Sequence, residues 1–128
     1  MQLLCIFMFL LASTVSVLAD GENKFKGAYD IWEDFEGGKV CKINLSDEPT
    51  IGGYALEGDA NCFAAFKLDG DPYAWFVDQE RRIVIIDATR KILIRFEPVE
   101  DGAFYARRTD AGLENINLTP ADEPASSQ

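Results

Sequence analysis

The chain has 128 residues, with 22 acidic against 12 basic side chains and a formal charge of −10. Such a balance argues against a nucleic-acid backbone or an anionic lipid surface as partner. It contains no histidine, which removes Ser-His-Asp and Cys-His nucleophilic sites and nearly all catalytic zinc sites.

Residues 1–19 carry no charged side chain, run apolar almost without break from Leu3 to Leu11, and end on Val17-Leu18-Ala19. That is the pattern of a signal peptide with a small-x-small cleavage site. The apolar run is too short and too interrupted by Ser and Thr to cross about 30 Å of hydrocarbon. The expectation is cleavage after Ala19, a periplasmic or secreted location, and no membrane insertion of the mature chain. The mature chain has the length of one domain. Cys5 leaves with the leader, so Cys41 and Cys62 remain. An even count on an exported route predicts one disulfide. Its loop of about 20 residues would stabilise the fold by roughly 3 kcal/mol.

Residues 20–26, Asp-Gly-Glu-Asn-Lys-Phe-Lys, are polar and unpatterned. They predict a flexible arm with Phe25 its one apolar anchor. The first strand begins at Gly27, with Tyr29 and Ile31 on one face and Ala28, Asp30 and Trp32 on the other. A glycine turn at residues 36–39 leads to the second strand, in which Cys41, Ile43 and Leu45 alternate with Lys42 and Asn44. After an acidic loop, Gly52-Gly53 opens a third strand with Tyr54 and Leu56. Residues 63–68 read as either a helical turn or a strand. The turn at residues 69–72 precedes a strand centred on Trp75, and a polar hairpin at residues 78–81 precedes the apolar strand Ile83-Val84-Ile85-Ile86. Beyond Ala88-Thr89-Arg90, the residues Ile92, Ile94 and Phe96 are expected on one face, Leu93, Arg95 and Glu97 on the other. Residues 98–102 turn, residues 103–107 form a strand, and residues 113–118 form the last one. Residues 119–128 read as a disordered tail.

About eight short strands joined by short turns indicate an antiparallel meander. The arrangement that removes exposed edges is an all-β, eight-stranded, up-and-down, lipocalin-like barrel carrying one disulfide. The domain boundaries are a signal peptide at 1–19, an N-terminal trunk at 20–26, the barrel at 27–118 and the tail at 119–128. Trp32, Trp75, Phe76, Phe96 and Tyr105 are the expected core and plug of the barrel.

No nucleophile elbow, phosphate-binding loop, dinucleotide fingerprint or calcium loop is present, so neither enzymatic activity nor a cofactor or metal site is expected. Gly27-Ala28-Tyr29-x-x-Trp32, Cys41-Lys42-Ile43-Asn44-Leu45, Gly52-Gly53-Tyr54-x-Leu56, Cys62, Trp75, Ile83-x-Ile85-x-Asp87 and Ile94-Arg95-Phe96 come in an order that carries more information. It resembles the bacterial metalloprotease inhibitors of the Inh family, whose domain some outer-membrane lipoproteins share. The resemblance implies a barrel with a disulfide matching Cys41–Cys62, and a secreted serralysin-type zinc metalloprotease as partner. It further implies that the mature trunk, here Asp20, Gly21, Glu22, Asn23 and Lys24, enters the protease cleft with its first residue near the zinc. An α-amino group with a pKa of about 7.7–8.0 is partly neutral at neutral pH and has a lone pair to offer a metal. The acidic opening of this trunk departs from the serine and small or apolar residues usual in the family. Thr89-Arg90 stands where the family often has a glycine turn. The expected state is a monomer. The competing readings are a lipocalin-like carrier of a small ligand and a structural envelope protein.

Overall fold

Alternation of apolar and polar side chains along the strands is what closes the sheet. In a strand, successive side chains face opposite sides, so an apolar residue at every second position gives each strand one buried face. The structure is a computed structural model that describes residues 24–100 and 102–121. Among these residues eight strands form a closed antiparallel barrel in sequence order. They are β1 (Gly27–Glu33), β2 (Val40–Thr50), β3 (Gly53–Gly58), β4 (Ala74–Val77), β5 (Ile83–Ile86), β6 (Ile92–Glu100), β7 (Ala103–Ala106) and β8 (Ile116–Pro120). β1 pairs with both β2 and β8, and Tyr29↔Pro120 through Glu33↔Ile116 is the seam that leaves no free edge.

The interior is filled. Tyr29, Ile31, Cys41, Ile43, Leu45, Trp75, Ile83, Ile85, Ile94, Phe96, Phe104, Ile116 and Leu118 point inward and are buried. Trp75 and Phe96 sit there as expected. Trp32, Phe76 and Tyr105 do not: they have the opposite parity on β1, β4 and β7 and are only half-buried on the outer wall. Trp32 donates its indole N–H to the Thr119 hydroxyl at 3.1 Å. The remaining bulk of the core comes from Phe104 and from two phenylalanines outside the strands, Phe63 and Phe66.

Residues 60–64 form a short helix and residues 65–67 a turn, so no strand forms there. α1 (Ala60–Ala64) is capped by Asp59, whose carboxylate accepts the Asn61 N–H. It closes one end of the barrel, with the Phe63 ring packed against Gly58. The disulfide therefore joins β2 to this helix, with Cys41 and Cys62 Cα atoms 6.0 Å apart, rather than tying two strands together.

The strands depart from the expected bounds or faces at four places. β2 runs through the acidic stretch to Thr50 because a bulge between Leu45 and Pro49 absorbs the extra residues. Within it the Ser46 carbonyl accepts the N–H of the buried Trp75 indole at 2.9 Å. A second irregularity pairs Ile85 with Ile94 but Ile86 with Ile92. Leu93 is thereby turned toward the core and Ile92 is left 40% exposed, the reverse of simple alternation. β6 also continues through Pro98 and Val99 to Glu100, where a turn was expected, and β8 extends to Pro120.

All four residues of β5 are buried. Ile83 and Ile85 face the interior, while Val84 and Ile86 form an outer cluster with Ala74 and Phe76. The tip of the β2–β3 hairpin folds over this outer wall. A Cβ on Gly52 would lie 2.6 Å from the Ile86 Cδ1, and Thr50 and Tyr73 share a hydroxyl hydrogen bond of 2.9 Å.

Candidate functional site

Up-and-down order fixes which connections share an end. The β4–β5 and β6–β7 turns surround the point where the chain runs into β1, whereas the β1–β2 turn, α1, the β5–β6 turn and the β7–β8 loop lie at the other end. The first described residues are therefore at the rim opposite the helix and its disulfide.

Phe25 roots the arm there. Its ring meets the Phe104 ring edge-on, with centroids 5.8 Å apart, and the Arg81 guanidinium lies over its face at 5.6 Å. The Phe25 carbonyl accepts the Tyr29 hydroxyl at 2.7 Å. Tyr29 itself is buried, which pushes its phenol pKa up. One residue on, Lys26 pairs with Asp47 of β2 at 3.0 Å. That hydrogen bond and charge hold the Asp47 carboxyl below the usual carboxylate range. Beside Phe25 lies a cleft of about 210 Å³, walled by Arg81, Pro98, Val99, Gly102 and Phe104. Lys24 is exposed. Asp20, Gly21, Glu22 and Asn23 lie outside the described residues, as do the expected leader at 1–19 and the tail from 122 on.

The β4–β5 turn is built to hold Arg81. Asp78 and Arg82 bracket it, with the Asp78 N–H donating to the Arg82 carbonyl at 3.0 Å. The Asp78 Oδ1 accepts the N–H groups of Glu80 and Arg82, and its Oδ2 accepts the Arg82 Nε at 2.8 Å. Partial burial works against the Asp78 carboxylate, but these donors together keep its pKa below the ordinary value. Arg82 also reaches Glu80 and Glu97, so the guanidinium is spread over three carboxylates, and its pKa is raised, chiefly through the bond to Asp78.

At the opposite end, Arg108 ties the helical segment to the β7–β8 loop. Its Nη1 donates to the Phe66 carbonyl at 2.6 Å and its Nε to the Glu114 carbonyl at 2.8 Å. Burial lowers its pKa. Other clefts, of about 350 Å³ between residues 70–73 and 87–89 and about 270 Å³ between Lys67 and Leu113, are lined mainly by loop residues, with Leu93 of β6 in the second. Among the described residues no group of three or more Cys, Asp or Glu side chains is placed to hold a metal ion.

The barrel is filled, and Phe25 and Lys26 fasten the chain at one rim. Residues 20–118 match the family described as protease inhibitor Inh. The chain belongs to the Inh protease inhibitor family. The match takes in residues 20–26 as well as the barrel. No curated protein sequence matches this Inh domain. The crystal structure of a psychrophilic marine protease MP inhibitor resembles it with a TM-score of 0.62 at 15% identity, over 77% of this chain and 97% of that one. At that identity the likeness speaks for the barrel fold. Family membership makes a protease the partner of this Inh domain. Sequence reasoning singles out the arm and Phe25 but misses Arg81 and Phe104. An arginine at the end of a polar hairpin carries no signal until the fold brings the arm over it.

Proposed function

We propose that this Inh domain is exported and inhibits a secreted zinc metalloprotease of the serralysin type, with residues 20–24 as the inserting segment. The observation that carries the reading is a family match running from residue 20, through the arm and across the barrel. The structure supports it in two ways. The chain is fastened from Phe25 onward, so about five residues remain ahead of the barrel, a reach of roughly 17 Å when extended. The interior is occupied by Trp75, Phe66, Phe96 and Phe104, which speaks against the carrier reading.

In this mechanism the barrel rim packs on the enzyme and the arm enters the cleft. The neutral α-amine of Asp20 takes a coordination position at the partner's zinc. The inhibitor contributes no catalytic group. Its barrel is a rigid base that keeps the arm's ordering cost low. The test is inhibition of a panel of metallo- and serine proteases by the chain beginning at Asp20. Metalloproteases alone should be inhibited, and a chain lacking residues 20–23, or acetylated at its N-terminus, should inhibit at least tenfold less. Equal inhibition by full-length and shortened proteins would remove the arm from the mechanism.

A further inference from the structure

Two turns flank β5, and they are copies of one another. In each, an aspartate N–H bonds the carbonyl four residues on, its carboxylate accepts two backbone N–H groups, and the fourth residue has a left-handed backbone. The first is Asp78–Arg82 with Arg81 at φ 65°, the second Asp87–Lys91 with Arg90 at φ 75°. Glycine takes that backbone without a Cβ penalty, and glycine or asparagine is usual in such hairpins. Arginine at both positions is locally unfavourable. Both side chains lean on another segment. Arg90 packs against the hairpin tip, where a Gly52 Cβ would be 3.5 Å from its Cγ. Arg81 lies over the Phe25 ring.

We infer that Arg81 and Phe25 form a clasp that sets where and in which direction the N-terminal arm leaves the barrel, making both positioning residues for inhibition. The clasp rests on the inserting arm proposed for residues 20–24 and extends that role to residues outside the arm. Phe25 is held on its edge by Phe104, on its face by Arg81 and at its carbonyl by Tyr29. These contacts fix the chain from Phe25 onward. Releasing the ring moves the first fixed residue back to Lys26, and the inserting segment would then leave the barrel in directions that miss the cleft.

The decisive variant is Arg81→Gly, because it separates a structural role from a positioning one. Glycine suits the left-handed turn, so the melting temperature should stay level or rise. Loss of the cation over the ring should weaken inhibition by about two- to fivefold, the worth of an exposed cation–π contact. Arg81→Lys keeps the charge without the planar stack and should fall between. Phe25→Ala should weaken inhibition by about tenfold. A lysine-specific endoproteinase gives a direct readout: cleavage after Lys24 and Lys26 should speed up in Arg81→Gly. Unchanged cleavage and unchanged inhibition in Arg81→Gly would overturn the clasp, provided that deleting residues 20–23 abolishes inhibition. If that deletion has no effect, the arm mechanism falls and the clasp falls with it.

Discussion

At the scale of single residues, Gly53 and Arg108 carry unusual weight. Gly53 begins β3 directly beside the β4 backbone, and a Cβ there would lie 2.3 Å from the Trp75 carbonyl oxygen. That atom is main chain and cannot swing aside. Gly53→Ala should therefore cost about 1–3 kcal/mol, the usual range for overpacking, seen as a lower denaturant midpoint with the slope unchanged. Arg108 bonds the carbonyls of both Phe66 and Glu114. Removing it strands acceptors at the helical end of the barrel, where Phe66 is fully buried. Arg108→Ala should lose about 1–3 kcal/mol. Arg108→Lys should recover only part, since an ammonium cannot reproduce the planar fork.

At the scale of elements, the twin turns around β5 should govern behaviour in acid. Asp87 is held below its ordinary pKa first by the Thr89 hydroxyl and then by the Lys91 N–H, and Asp78 is likewise lowered. A depressed folded pKa means stability that is fully present above the unfolded value of about 3.9 and is lost as pH falls below it. The melting temperature should hold from neutral pH to about 5 and drop below about 4. Asp87→Ala should lower it more at pH 7 than at about pH 2.5, because wild type loses the charged contribution progressively as pH falls below about 3.9. Equal differences at both pH values would show that the carboxylate charge is not what stabilises the turn. α1 is a different case. Five residues cannot sustain a helix alone, and the Cys41–Cys62 bond fastens it to β2. Cys41→Ala with Cys62→Ala should cost about 3 kcal/mol, and the unreduced protein should show no alkylatable thiol at either position.

At the scale of the whole molecule, stability and inhibition should separate. Deleting residues 20–23 leaves Phe25, Lys26 and every strand in place, so the melting temperature should stay nearly unchanged while inhibition falls. With no histidine in the chain, no side chain titrates at its ordinary value between about pH 5 and 8. A flat melting temperature across that range, with inhibition strengthening as the α-amine loses its proton near about pH 7.7–8.0, would report the arm rather than the barrel.

Much of this was written in the sequence because it depends on local, periodic chemistry. Alternation in β1, β2 and β8, the apolar run of β5 and the turn residues between strands were enough to specify an eight-stranded meander, and the cysteine parity pointed to the disulfide. What alternation cannot say is which face is inner once a strand bulges or both faces are covered. That is why Ile92 and Leu93 exchanged places, why Trp32, Phe76 and Tyr105 moved to the wall, and why Phe63 and Phe66 entered the core. The same limit applies to the candidate site. The composition of residues 20–26 suggested an arm anchored by Phe25, and of that segment the structure describes Lys24, Phe25 and Lys26. The partners of that anchor come from β7 and the β4–β5 turn, far along the chain. Their meeting is a long-range contact that only closure of the barrel creates.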